Sequence, residues 1–372
     1  MKKRVLHVLQ SMNIGGIETY IMNLLRNIDT NKYEFHFLLW EKSKSYYEDE
    51  IIELGGFIHK FHFSKNPIIN IIRFRKFLNN HNYDIIHCHC HFYSGIFAYA
   101  AKNKKAIFIS HIHSKSDNKE NNLLRKIYKS ISRRLLINYS TYYCACSDEA
   151  AKYVLGNHNK DAIIMNDYIN VNDFINVSEQ KIAKIKKDYS ISKNDFIIGN
   201  VGRLSVEKNQ KFILELLKDL KDTSDRNYKC LFIGDGPEKV ELQKYIIENK
   251  LENKVIFAGN VSDVWNYLKC MDIFVFPSLY EGFGMALLEA QASGIRCISS
   301  DCVPKSTDMD LNLVKYFPLY DKSKWIEELL KESNIVVDNM TIKEKIREKG
   351  FDVTNSICQI EKLYDSEGKN ET

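Results

Sequence analysis

Short apolar runs alternate with helix-patterned stretches along almost the whole chain of 372 residues, and the rhythm starts twice. In the first half VLHVLQS (5–11), EFHFLLW (34–40), FIHKFHF (57–63), DIIHCHC (84–90), AIFISHIH (106–113), STYYCACS (140–147) and AIIMN (162–166) read as strands. Helical spacing fills the gaps at 15–28, 47–56, 68–81, 94–103, 121–138 and 148–156. The rhythm lapses over 167–190. It resumes with strands at 195–204, 228–237, 254–260, 271–280 and 296–301, separated by helices at 210–222, 238–251, 264–270 and 285–292. A last helix is expected over 341–364. Parallel strands need a crossover helix, so repeated strand–helix units imply a doubly wound parallel sheet. The predicted fold is α/β, with two Rossmann-like domains facing across a cleft. Their expected limits are 1–166 and 191–340, with a linker at 167–190 and a helix and tail at 341–372.

Hydrophobic residues make up 44% of the chain, enough for two cores of ordinary size. The formal charge of +5 is unevenly spread, +10 over residues 1–165 and −5 over 166–372. Such a split points to two domains with different partners, the basic half suiting an anionic membrane or a phosphorylated substrate. Nine cysteines form no disulfide pattern. The apolar start of MKKRVLHVLQ is too short for a secretory h-region, and no apolar run approaches the length of a membrane span. The expected location is the cytoplasm, with peripheral contact at the inner face of the plasma membrane.

EGFGMALLE (281–289) joins three elements that few proteins need together. The strand before it ends in turn residues, and the stretch from Met285 to Ala292 favours a helix. Glu281 therefore belongs on the turn, where Gly282 and Gly284 let the backbone approach a ligand. The amides opening the helix favour phosphate. Glu289 falls a turn and a half along it. Two carboxylates so placed can grip sugar hydroxyls on either side of a diphosphate, since an ionised acceptor makes strong hydrogen bonds.

Other loops carry the same chemistry more weakly. In NVGRLSVEKNQ (200–210), Arg203 and Lys208 can straddle a diphosphate, although a solvated basic loop would look similar. GDGP (234–237) ends a strand, with Gly234 and Gly236 expected beside a nucleotide. NIGGIE (13–18) places Gly15 and Gly16 at a helix start but lacks the third glycine of a dinucleotide fingerprint. In HCHCH (87–91), alternating histidines on a strand face cannot all wrap one tetrahedral zinc, so no metal is expected. His111 and His113 end a strand, where parallel sheets present ligand groups. DMD (308–310) reads as an acidic surface loop. Over 121–138, Leu123, Leu124, Ile127, Ile131 and Leu135 recur at three and four, with Arg125, Lys126, Lys129, Arg133 and Arg134 between them. That pattern describes either an ordinary core helix or one that meets anionic lipid headgroups.

Taken together, these motifs resemble glycosyltransferase family four, in the branch that builds bacterial exopolysaccharide and capsule. The resemblance runs from RVLHVLQSMNIGGIETYIMNLLRNID through HCH and SHIHS to IIGNVGRLSVEKNQKFIL, FIGDGP and MDIFVFPSLYEGFGMALLEAQASG. It implies a GT-B fold whose C-terminal helix packs back toward an N-terminal acceptor domain. It also implies a nucleotide-sugar donor and a retaining transfer that needs neither metal nor cofactor. Arg203 and Lys208 would hold the donor diphosphate, Glu289 the ribose and Glu281 the donor sugar. The loop of Gly282, Phe283 and Gly284 would line the donor pocket. Gly16 would lie near the donor phosphate, and His113 would stand beside the sugar, with His111 as the fallback.

The expected activity is transfer of a sugar, from a UDP-sugar in the favoured case, to a lipid-diphosphate-linked glycan. A nucleotide-sugar epimerase of the same fold is the alternative enzyme. A non-catalytic nucleotide-sugar-binding protein is the alternative from another class. Nucleic acid is not an expected partner, because the basic half lacks aromatic-interleaved patches.

Overall fold

A computed structural model describes residues 2–114, 122–165, 168–223, 226–332 and 335–366. The chain divides into two compact units, Met1–Ile169 with Val353–Thr372, and Asn170–Asp352. The expected 166/167 boundary and the tail beyond 366 lie outside the described residues.

In the first unit seven parallel strands, β1 (Lys3–Leu9), β2 (Tyr33–Leu39), β3 (Phe57–Lys60), β4 (Ile85–Cys88), β5 (Ile107–Ile112), β6 (Tyr142–Ala145) and β7 (Ile163–Ile164), form one sheet. Their spatial order is β3-β2-β1-β4-β5-β6-β7. The crossovers are α1 (Gly16–Asn27), α2 (Glu48–Glu53), α3 (Pro67–Asn80), α4 (Ser94–Ala101), α5 (Leu123–Tyr139) and α6 (Asp148–Leu155). Side chains alternate across β1, so its two faces serve two cores. Val5 and Leu9 pack with Ile21 and Leu24 of α1. Leu6 and Val8 pack with Phe74 of α3 and Phe97 of α4.

The second unit opens with α7 (Val171–Ile175) and α8 (Glu179–Asp188), inside the segment expected as a plain linker. Their apolar signal is brief: Val171 and Phe174 in one, Ile182 and Ile185 in the other are buried amid Asn, Asp and Lys. Six parallel strands follow, β8 (Asp195–Val201), β9 (Asn227–Ile233), β10 (Val255–Gly259), β11 (Ile273–Phe276), β12 (Cys297–Ser300) and β13 (Val314–Phe317). They lie in the order β10-β9-β8-β11-β12-β13. The helices are α9 (Gln210–Thr223), α10 (Lys239–Glu248), α11 (Val264–Leu268), α12 (Met285–Ala292), α13 (Lys322–Leu330) and α14 (Asn339–Glu348). The chain then enters α15 (Val353–Asp365), whose Ile360, Leu363 and Tyr364 join the first unit's core.

Two differences from the sequence reading concern this end of the chain. The single helix expected over 341–364 is two, broken where Gly350 takes a positive φ of 79°. Neither β13 nor α13 was expected, yet Trp325 and Leu329 of α13 are fully buried.

In each sheet the strand order reverses once, between β1 and β4 and between β8 and β11. Crevices outside the carboxyl ends of strands open at such points, and ligands bind there.

Candidate active site

The loops after β8 and β11 meet at the second unit's reversal point. Asn209, in the left-handed region at φ 54°, turns its amide onto the Pro277 carbonyl at 3.2 Å. The Leu279 amide donates to the Glu207 carbonyl at 2.8 Å. Gln210 donates to the Arg203 carbonyl at 3.0 Å and to Asn200 Oδ1 at 3.3 Å. These bonds set up the central contact, Lys208 Nζ to Glu281 Oε1 at 2.6 Å. The same oxygen accepts from Ser278 Oγ at 2.7 Å. Glu281 is 9% exposed, so its carboxylate has a fixed direction. Lys208 also lies over the Phe276 ring, 5.4 Å from its centroid.

Arg203 is exposed, on the same loop. Glu207, between the two cations, has its carboxyl held low by its own backbone amide and also by Ser205, Arg203 and Lys208. The Glu281 loop is braced from the other side. Thr307 Oγ1 donates to the Phe283 carbonyl, Gln291 Nε2 donates to the Thr307 carbonyl at 2.8 Å, and Phe283 stacks on Phe351. Gly284 starts α12 at φ 107°, a left-handed geometry that favours glycine. Gly282 is exposed and has open space around its α-carbon. Glu289 is partly exposed on α12, and burial raises its carboxyl from 4.5 to about 7.

Gly234 and Gly236, expected beside a nucleotide, also have a packing role. A β-carbon at Gly234 would stand 2.1 Å from the Gly202 carbonyl oxygen, and one at Gly236 would stand 2.2 Å from that of Leu204. These glycines let the loop after β9 press against the Arg203 loop, with the Leu204 amide donating to the Asp235 carbonyl at 3.1 Å. DMD forms a turn in which Asp310 pairs with Lys349 at 2.7 Å.

His113, Gly15 and Gly16 belong to the first unit, and His113 lines a different cavity there, as do Ile17 and Glu18 just after the two glycines. This cavity has a volume of about 650 Å³ and opens at that sheet's reversal point. Trp40, Phe63 and Tyr93 give it an aromatic wall, and Glu18, His89, His113 and Arg125 supply polar groups. Gly15 caps α1, and a β-carbon there would meet the Glu18 carboxylate at 2.4 Å, whereas Gly16 has open space. Burial raises the Glu18 carboxyl.

At this cavity and behind it five histidines from three strands and their ends converge. His7 Nδ1 lies 3.1 Å from His89 Nε2, His89 Nδ1 lies 2.8 Å from His113 Nε2, and His87 Nε2 lies 3.1 Å from His111 Nδ1. Burial lowers the pKa of each, to about 3 for His7 and His113. The expected alternation of HCHCH stops early. β4 ends at Cys88, and His91 turns away in a 3-10 segment at φ 53°. The convergence runs across strands, so a motif within one strand could not show it. Glu18, Asn209 and Gln210 were also not singled out, although each sits inside a quoted motif.

Comparison with known proteins gives the same assignment. The family model described as Glycosyl transferases group 1 matches residues 181–309, and the model described as Glycosyltransferase Family 4 matches residues 14–164. The chain is 31% identical over 371 residues to a protein named as glycosyltransferase EpsF of Bacillus subtilis, covering 98% of this chain and 96% of that one. It is 27% identical to the capsular polysaccharide biosynthesis glycosyltransferase CapH of Staphylococcus aureus, covering 80% and 81%. An Escherichia coli UDP-Gal:alpha-D-GlcNAc-diphosphoundecaprenol alpha-1,3-galactosyltransferase is 30% identical over 48% of each chain. The crystal structure of Anabaena HepE in complex with UDP and glucose superposes with a TM-score of 0.76, at 17% identity, over 97% of this chain and 99% of that one. The chain therefore belongs to glycosyltransferase family four, has the GT-B fold, and is a glycosyltransferase of the exopolysaccharide and capsule branch.

Proposed function

We propose that this glycosyltransferase moves a sugar from a UDP-sugar to a lipid-diphosphate-linked glycan with retention of configuration. The Lys208–Glu281 contact carries the reading, because it places a cation suited to a diphosphate against a carboxylate suited to a sugar. Arg203 on the same loop supplies a second cation with a planar fork. Glu289 on α12 supplies the carboxylate for the ribose. A donor seated there would put its leaving diphosphate against Arg203, Lys208 and the first amides of α12. Charge builds on that diphosphate as the glycosidic bond breaks, and groups already pointed at it lower the barrier. A leaving phosphate oxygen takes the acceptor's proton on the same face, which gives retention without an enzyme nucleophile. Two side-chain cations do the neutralising, so the reading calls for neither metal nor cofactor.

UDP as the nucleotude carrier is supported by HepE, whose structure holds UDP, and by the UDP-Gal donor in the Escherichia coli relative's name. That name also gives a diphosphoundecaprenol acceptor. In this chain the aromatic cavity of the first unit suits a sugar, and His113, expected beside the donor sugar, offers it a polar contact.

Among the described residues no helix is long and apolar enough to cross a membrane. Of the two readings left open for α5, a core helix or a lipid-facing one, its exposure favours the second, with Leu123 72% and Leu124 78% exposed and Ile127 and Ile131 also exposed. Only Ser132 and Leu136 of that helix are buried. We assign this face to peripheral contact with the cytoplasmic leaflet, which would bring the enzyme to a lipid-linked acceptor held there.

The test is UDP release from a panel of UDP-sugars, with and without a diphosphoundecaprenol-linked glycan. Acceptor-dependent release with a lengthened glycan is expected. A changed sugar nucleotide formed without acceptor would point to an epimerase, and binding without turnover to a non-catalytic protein.

A further inference from the structure

The imidazole cluster contains a row of three rings with His89 at its centre. The ring centroids of His7 and His89 are 5.3 Å apart, and those of His89 and His113 are 5.1 Å apart. Each separation exceeds the corresponding nitrogen–nitrogen distance by about two ring radii, so the nitrogens lie close to the line joining the rings. That is the geometry of an N–H···N hydrogen bond. A shared metal ion would do something different. Two nitrogens held about 2.0–2.1 Å from one tetrahedral zinc stand roughly 3.3 Å apart, and their lone pairs converge on the ion. The His89–His113 distance of 2.8 Å is shorter than that edge. The metal reading still has a geometric basis, because His7, His87 and His89, and likewise His89, His111 and His113, place ligand atoms within 4.8 Å of one another.

A neutral imidazole has one N–H and one bare nitrogen. Burial keeps all three rings neutral. With two internal hydrogen bonds, such a row has only two proton arrangements, and reversing one bond reverses the other. The row ends at His7 Nε2 and His113 Nδ1, both buried and without a partner among the described residues. In one arrangement His113 Nδ1 carries a proton and His7 Nε2 is bare; in the other the ends are exchanged. The His7 ring packs against Phe35 and Phe37, with centroids 4.7 and 5.5 Å away. An N–H at that end has no acceptor among the described residues, and orphaned buried N–H groups are the rarer kind. His113 Nδ1 is buried and unpartnered as well, but its residue lines the cavity, so at that end a small movement brings the proton to a solvent or ligand oxygen.

We propose that His7 and His89 are positioning residues that fix the proton of His113 on Nδ1, making it a neutral hydrogen-bond donor toward an oxygen of the bound sugar. The identity of that ligand rests on the function proposed above; the proton arrangement does not. In this state His7 Nδ1 donates to His89 Nε2, and His89 Nδ1 donates to His113 Nε2. His113 then favours a hydroxyl or phosphate oxygen and cannot act as a base at Nδ1.

The experiment is nitrogen-15 spectroscopy of histidine-labelled full-length protein near neutral pH, reading which ring nitrogen carries each proton. The wild-type chain is expected to show both His113 and His7 protonated on Nδ1. His7→Phe, which leaves His113 and its cavity untouched, is expected to release His113 from the fixed Nδ1–H state. A wild-type His113 protonated on Nε2 overturns the proposal whether or not the variant folds. An unchanged His113 signal in folded His7→Phe also overturns it. So does one equivalent of added cobalt(II) bound with loss of the His89 and His113 signals, which would establish the metal site instead. Loss of sugar transfer is read separately in His113→Ala. Full transfer by that variant would remove His113 from the reaction while leaving its proton assignment intact.

Discussion

Lys208 Nζ stands 2.6 Å from Glu281 Oε1, and this contact ties the loop after β8 to the loop after β11. The two side chains come from loops 73 residues apart, with exposures of 23% for Lys208 and 9% for Glu281. The pair therefore has a structural role as well as a chemical one.

Removing one partner should leave a largely buried charge without its counterpart. Lys208→Ala is expected to lose roughly 3 kcal/mol of stability, the lower end for breaking a buried pair, because the lysine keeps some contact with solvent. The double variant Lys208→Met/Glu281→Gln should be less destabilised than Lys208→Ala alone. Urea unfolding of the three proteins gives the comparison, and equal losses in both variants would contradict the coupling.

Arg203 offers a cleaner separation of catalysis from folding. Its side chain is exposed, so Arg203→Ala should leave stability within about 0.5 kcal/mol of wild type. Turnover should fall by about 2.7–4 kcal/mol of barrier lowering, the loss typical of one donor aimed at a developing negative charge. Steady-state kinetics beside a melting curve decide it.

Glu289 predicts a pH dependence. Its carboxyl titrates near 7 in the fold, above its ordinary 4.5, so the folded state favours the protonated form. That contribution to stability is fully present below about pH 4.5 and is lost as pH rises through 7. The difference in Tm between wild type and Glu289→Gln should shift against wild type over that window. UDP affinity should move the other way, since an ionised carboxylate is the better acceptor for ribose hydroxyls. Calorimetry of UDP binding between pH 6 and 8 should show tightening in wild type and a flat profile in Glu289→Gln, taking that range as about one unit either side of the carboxyl's pKa.

The α5 face predicts membrane binding through apolar side chains. Lys129 and Arg133 are poor probes of it, because Lys129 donates to Tyr153 Oη and Arg133 donates to the Tyr153 and Val154 carbonyls. Leu123→Ser/Leu124→Ser with Lys126→Glu changes exposed positions only. Co-sedimentation with vesicles containing anionic lipid should fall at least about tenfold, given roughly 1 kcal/mol for each basic residue near the surface and more for the buried apolar area.

Much of the fold was legible because the buried parallel strands are unbroken apolar runs, with Val5, Leu6, Val8 and Leu9 feeding opposite cores from one strand. β13 and α13 were missed because turn residues surround them, β13 is at most partly buried, and the burial of α13 rests on a few side chains, Trp325 and Leu329 above all. Around the candidate site, the local motifs at 200–210 and 281–289 were readable, since glycine, cation and carboxylate recur at short spacing. What brings the two motifs together is not local. Asn209 reaches Pro277 over 68 residues to join them, and Thr307 braces Phe283 over 24 residues. The same limit hid the imidazole row, in which His7 and His89 are 82 residues apart. The glycines of GDGP were legible as glycines but not as packing devices, because their need lies in the Gly202 and Leu204 carbonyls opposite.

The most direct measurement is isothermal titration of UDP into the wild-type chain and into Arg203→Ala, Lys208→Ala and Glu281→Gln, each checked for folding by circular dichroism. The account predicts that wild type binds one UDP and that the two cation variants bind at least about tenfold more weakly, a loss of about 1.4 kcal/mol or more. Glu281→Gln should keep more of its UDP affinity than of its sugar transfer. Equal UDP affinity in all four folded proteins would contradict the placement of the diphosphate between Arg203 and Lys208.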